Sequence, residues 1–413
     1  MPIRLKGKYL KPIEAYVESL GFEDWLDNFE NASYQPLSET ILKLHPFLDG
    51  GSVFQIVFSE LSKFFREKKE GQGRLSNALN NDYKSDLIER LKSAIERYPR
   101  KYEICIETSG VPYFGDAAVQ ISDQISWVSG SYVFEEPSTN RLAEILQSYV
   151  PKTPKACTFF RICVDGYGDR SADSSAVAEA ISLAKQATFI LFAKGILVSA
   201  YSGRSARATL TPLDELEASM VISLPDSLAR GIGKLSPNEK QLIAYDERDE
   251  HGRPYTILGN PGRPAANDQE KLNALVEGVR LAKDFFAKTE HADFESISSA
   301  IEWYEDSVFS DNQTFSYLAA CIGMEALLGE REHLNEMTNR LCDRYSFLMG
   351  KGSSERKQLW GQYHEILDIR GKLVHAKKRR LDRADASKLW RVQDMLLQTI
   401  RRELRQMIRD TRT

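Results

Sequence analysis

The sequence predicts an α+β protein in which a helical N-terminal region is followed by a strand-rich middle region and then by an all-α helical bundle. Three observations carry this. Residues 1–100 contain stretches such as LSKFFREKKE and YKSDLIERLKSAIERY, where apolar residues recur at spacings of three and four amid dense charge, the pattern of amphipathic helices. From about Tyr102 the texture turns β-branched and aromatic. Beyond residue 268 it is helical again, almost without interruption.

In chain order, the segments YEICIETS, AVQISDQISWV, SYVFEE and ACTFFRICVDGYG alternate in part and end near Gly, Pro or Asp, which predicts strands. A long helix is expected over roughly 174–194, and ILVSAYS, RATLTP and ASMVISLP again look like strands. The stretch YDERDEHGRPYTILGNPGRPAANDQ, residues 245–269, is rich in Gly, Pro and polar residues and reads as a linker or long loop. The expected domains are therefore a mostly helical region 1–100, an α+β region 101–245, a linker 246–267 and a helical domain 268–413. Within the last, helices are expected over 268–288, 294–309, 312–329, 333–349, 354–374 and 384–410, broken by short segments such as FSDNQ and GKGSS.

Composition narrows the class. With 42% hydrophobic and 28% charged residues, the chain has an ordinary water-soluble balance. Its longest apolar run, ATFILFA at 187–193, is far shorter than the eighteen or so residues expected of a membrane span. The start MPIRLKGKYL lacks a secretory core and cleavage site, and the five cysteines are scattered without a CxxC pair. Reduced thiols in a cytoplasmic protein are expected, with neither a disulfide framework nor a zinc site. The net charge of −4 hides an asymmetry: residues 376–413 hold twelve Lys or Arg against five Asp or Glu, a net +7, which leaves −11 for the rest. A basic end on an acidic body suits a polyanionic partner, although a solvated helix face is the commoner cause of such a bias.

Several familiar shapes fail. GKGSS lacks the correctly spaced second glycine and the Lys-Ser/Thr pair of a phosphate loop. His364 and Asp368 share a helix face with no third ligand nearby, and read as a hydrogen-bonded surface pair. No serine lies in a Gly-x-Ser-x-Gly elbow. His45, His251, His291 and His333 have no companions for a triad.

The informative stretch is ILDIRGKLVHAKKRR, residues 366–380. Leu359, Tyr363, Ile366, Arg370 and Leu373 step by four and three, with Trp360, Leu367 and Val374 widening the stripe. Arg370 thus points to a core or an interface, where a permanent charge requires a partner. Upstream, Phe315, Leu318, Ile322 and Glu325 share the same stepping, so a Glu325–Arg370 pair is expected. His375 lies five residues on, about 140° around a regular helix. Either the helix ends near Gly371–Val374, or a second copy of the chain brings the complementary groups across a two-fold axis.

Arg370-x4-His375 at the end of a helical C-terminal domain resembles the signature of HEPN domains. The segments YLAACIGMEALLG, LCDRYSFLMG and YHEILDIRGKLVHA look closest to the ApeA-like branch. The resemblance covers roughly residues 268–413. It implies a HEPN-like helical bundle and a metal-independent endoribonuclease that acts as a homodimer through this domain, with RNA as substrate and no cofactor. His375 would be the acid–base group and Arg370 the phosphate clamp. Glu325 would orient Arg370, and Lys372 would lend a nearby cation. Gly371 stands where family members often carry a polar residue after the arginine. Lys377, Lys378, Arg379 and Arg380, together with Arg401, Arg405, Arg409 and Arg412 on one face of the last helix, either track an RNA backbone or form a solvated, solubilising face. The domain layout suggests that residues 1–265 sense a trigger, or meet a regulatory partner, as in toxin-like or phage-defence effectors. The other reading is a catalytically degenerate module for dimerisation and for RNA or protein binding.

Overall fold

The computed structural model describes residues 4–20, 29, 32–70, 81–108, 118–129, 158–169, 173–192, 207–212, 220–223, 243–248, 254–259, 268–310, 312–329, 337–382 and 385–409. The architecture is α+β. The chain divides into two compact units, one of Met1–Ile104, Cys163–Ala180 and Thr209–Ile222, the other of Cys105–Ile162, Ile181–Ala208 and Ser223–Thr413.

The first unit is built on four helices: α1 (Lys11–Glu18), α2 (Tyr34–Leu44), α3 (Gly50–Glu70) and α4 (Asn81–Glu96). Pro12 opens α1, where its missing N–H costs nothing. The Asp49 carboxylate accepts from the Ser52 N–H at 2.6 Å at the start of α3, a cap that holds its pKa below the usual carboxylate value. The apolar stripes of these helices converge on a core that includes Tyr16, Val53, Leu61, Phe64, Leu87 and Leu91. Lys68–Asp86 at 2.9 Å and Arg90–Glu67 at 2.8 Å tie the outer faces of α3 and α4 together.

The strands of the middle region are β1 (Arg100–Thr108), β2 (Val119–Gln120), β3 (Ile125–Ser129), β4 (Thr158–Gly166), β5 (Arg207–Pro212) and β6 (Met220–Ser223). They form a six-stranded sheet in the order β2-β3-β4-β1-β5-β6. Strand β3 is antiparallel to both neighbours and pairs Trp127 with Phe160 on β4. The expected strands SYVFEE and ILVSAYS lie outside the described residues. An antiparallel hairpin, β7 (Ile243–Arg248) and β8 (Pro254–Gly259), pairs Tyr245 with Ile257. It occupies much of the stretch that reads as loop: Gly and Pro frame the run YTIL without breaking it, and that run has good strand propensity.

Helix α5 (Ser175–Phe192) follows β4. The helices beyond residue 268 are α6 (Asp268–Phe286), α7 (Phe294–Phe309), α8 (Gln313–Leu328), α9 (Met337–Met349), α10 (Ser353–Val374) and α11 (Ala386–Arg409). Asn312 caps α8, its side-chain oxygen accepting from the N–H groups of Thr314 and Phe315 at 3.0 and 3.2 Å. Along α11, Leu389, Val392, Leu396, Ile400, Leu404 and Met407 are all buried, as their stepping dictates. Gly323 lets α8 approach its neighbours closely: a Cβ there would lie 2.7 Å from Leu396 Cδ2 and 3.1 Å from Trp303 Cβ. A buried polar junction pins three helices. The Gln393 amide donates to the Ser307 carbonyl and hydroxyl at 2.9 and 3.0 Å, and the Ser307 hydroxyl donates to the Ser316 carbonyl at 2.7 Å.

Two faces differ from expectation. On α8 the buried row is Tyr317, Ala320, Cys321, Met324 and Leu328, whereas Phe315 is 46% exposed. The helix is apolar nearly all round, so stepping alone does not select the inward face. Val374, expected to widen the α10 stripe, is 52% exposed because the helix ends there.

Candidate functional site

The site is built where α10 crosses α8. Tyr363, Ile366, Leu367 and Ile369 are the buried residues of α10. The Tyr317 hydroxyl of α8 donates to the Ile366 carbonyl at 2.8 Å and fixes how the two helices meet. One turn beyond that contact, Arg370 Nη2 donates to Glu325 Oε2 at 3.0 Å. This is the expected pair, and it lies at the edge of the core: both side chains are partly buried. Burial pushes the Glu325 carboxyl above its ordinary pKa while Arg370 pulls it back. Beneath the pair are Cys321, whose thiol pKa is raised by burial, and Tyr363, whose fully buried hydroxyl has no hydrogen-bond partner among the described residues. A single bond to Nη2 leaves the other guanidinium donors of Arg370 open to an oxyanion.

Helix α10 stops at Val374 and His375 is its C-cap, its N–H donating to the Gly371 carbonyl at 3.0 Å. The next residue, Ala376, has φ +55°, the one non-glycine residue in the left-handed region among the described residues. A glycine would more usually occupy that position. Its N–H reaches the Leu373 carbonyl at 3.3 Å, and the Lys378 N–H reaches the Lys372 carbonyl at 2.9 Å. The turn throws the His375 side chain into solvent, where it is exposed. Among the described residues no hydrogen bond or ion pair joins His375 to Arg370 within one chain.

The expected cations have unequal fates. Lys372 is held by Asp368 at 2.6 Å on the surface of α10. Lys378 sits between Asp382, at 3.0 Å, and Asp385. Lys377, Arg379 and Arg380 are exposed. On α11, Arg405 Nε donates to the Arg401 carbonyl at 3.0 Å, and Arg405 and Arg409 are exposed; Arg412 lies outside the described residues. The sixteen residues from Ala386 to Arg401 span about 24 Å of helix, so the structure keeps these arginines well apart from the group at 377–380.

Asp382 and Asp385 escaped the sequence reading. Their signal is the Lys378–Asp382 spacing of four and the aspartate pair just before α11. The His364–Asp368 surface pair does not form: His364 stacks on Trp360 with ring centroids 4.9 Å apart, and Asp368 takes Lys372. Among the described residues no helix is long and apolar enough to cross a membrane, and no group of three His, Cys, Asp or Glu side chains is placed to hold a metal.

No protein-family model matches this chain, and neither a curated protein nor a solved structure matches it.

Proposed function

We propose that the C-terminal helical domain is a HEPN-type, metal-independent endoribonuclease that works as a homodimer in the cytoplasm. The observation that carries this reading is an arginine held at the rim of a helical core by a partly buried carboxylate at 3.0 Å, followed five residues later by an exposed histidine at the helix end. RNA brings its own nucleophile. His375 takes the proton of a 2′-hydroxyl as the 2′-oxygen attacks the neighbouring phosphorus. The bond to the 5′-oxygen breaks, that oxygen takes up a proton, and a 2′,3′-cyclic phosphate and a 5′-hydroxyl result. Arg370, oriented by Glu325, holds the phosphate oxygens as negative charge gathers on them.

A second copy solves the geometry. Phe315, 46% exposed, and half-buried Leu318 and Ile322 form a strip on α8. On α10, half-buried Leu373 and exposed Val374 follow Arg370, the arginine that is bonded to α8. On this reading a two-fold axis through these residues would bring one protomer's His375 toward its partner's Arg370. The N-terminal region would then restrain or trigger the nuclease, as in a toxin-like or phage-defence effector.

The alternative is a degenerate HEPN module that dimerises and binds RNA or protein. It is favoured by a guanidinium already matched to Glu325 and by Gly371 after it. RNA digestion near neutral pH with EDTA present separates the two. Cleavage by wild type that is lost in both Arg370→Ala and His375→Ala supports the nuclease; intact RNA, or undiminished cutting by either variant, refutes it.

A further inference from the structure

After α10, residues 375–382 do not hang free. Over seven residues, His375, Ala376 and Lys378 each donate a backbone N–H to the last turn of α10, and the Leu381 N–H donates to the Thr314 hydroxyl at 3.0 Å. Leu381 itself is buried. The Lys378 ammonium is taken up by Asp382, at 3.0 Å, and by Asp385, the less exposed of the two. Lys377, Arg379 and Arg380 remain exposed and make no ion pair among the described residues. A segment fixed in this way presents its charges in one arrangement and gives up little freedom when it binds. The two aspartates bar a polyanion from the side on which Lys378 lies.

We infer that residues 377–380 form a ready-made lip for a phosphodiester backbone, on which Lys377, Arg379 and Arg380 take phosphates, while Lys378 is withheld from the ligand as the internal strut of the lip. Lys378 is thus a positioning residue and not one of the phosphate contacts. The identity of the ligand rests on the ribonuclease reading above; the strut does not.

The test uses the full chain and a short 2′-O-methyl oligouridylate, which lacks the attacking hydroxyl and so reports binding alone. Lys377→Gln, Arg379→Gln and Arg380→Gln should each make the plot of log affinity against log salt shallower by about 0.7, the contribution of one phosphate contact on a single strand. The paired variant Lys378→Gln with Asp385→Asn should leave that slope unchanged. A shallower slope in the paired variant overturns the assignment of Lys378. Limited trypsin digestion reads the strut without RNA, because cleavage at 377–380 requires local opening. Asp385→Asn and Lys378→Met should be cut there severalfold faster than wild type, and Lys378→Arg should restore the wild-type rate. Unchanged cutting in both variants overturns the strut. Binding of the analogue without cleavage of ordinary RNA upholds the lip and refutes the nuclease. Failure of the wild-type chain to bind the analogue overturns the lip, while the digestion still decides the strut.

Discussion

Glu305 offers a sharp test of the packing between α5 and α7. It is 7% exposed, in an interface where Ser182 and Gln186 donate to Glu302 at 2.5 and 3.2 Å and Lys185 binds Asp306 at 2.6 Å. Burial, opposed by Lys185 and aided by Asp306, pushes the Glu305 carboxyl from 4.5 up to about 8. Between those two values the unfolded chain has released its proton while the folded chain keeps it. Folding therefore binds a proton, and stability falls as pH rises through this window. At about 1.4 kcal/mol for each unit of difference, the full loss across the window is on the order of 5 kcal/mol. Glu305→Gln keeps the shape of the protonated acid and cannot ionise. Urea unfolding should show variant and wild type alike near pH 4.5, with the variant more stable by about 3 kcal/mol at neutral pH and more again near pH 8. A stability difference that stays flat across the window refutes the claim that Glu305 is buried as a neutral acid.

Other outcomes follow from the same structure. Arg370→Ala strands a partly buried carboxylate and should cost about 1–2 kcal/mol by urea unfolding, less than a fully buried pair would, and Arg370→Met combined with Glu325→Gln should recover most of it. His45 is buried and its pKa is lowered by desolvation. The unfolded chain therefore takes up a proton first as pH drops below about 6.5, stability declines with further acidification, and His45→Leu should flatten that decline in melting curves. Gly323→Val should cost about 2 kcal/mol or more by overpacking against Leu396 and Trp303, whereas Gly361→Ala, where a Cβ meets nothing, should raise helix stability by about 1 kcal/mol. Phe315→Asp combined with Val374→Asp should yield monomers in sedimentation velocity; dimers that persist would rule out the α8–α10 face as the contact.

How far the fold and the site were legible in the sequence depended on what a linear pattern can encode. The stripe on α11 was readable because its two faces differ sharply in polarity. The Glu325–Arg370 pair was readable for a related reason: each charge interrupts an apolar row, and two such interruptions of opposite sign in neighbouring helices seek each other. Helix α8 defeated the same logic, since Phe315 and Tyr317 are alike in hydrophobicity and only tertiary packing selects Tyr317 for the interior. The β7–β8 hairpin was hidden because Gly and Pro around YTIL signal a loop more strongly than four residues signal a strand. The role of Lys378 depends on the left-handed turn at Ala376, a conformation that no side-chain pattern announces for alanine.

The contact among Gln393, Ser307 and Ser316 has a mechanical corollary. Satisfying these buried polar groups at once leaves α7, α8 and α11 a single azimuth, since rotating any of them strands a donor or acceptor in an apolar interior. That portion of the bundle behaves as a keyed lock that neither slides nor twists by small increments. A displacement of any one of these helices therefore carries the other two with it, whereas the residues after Val374 lie beyond the key.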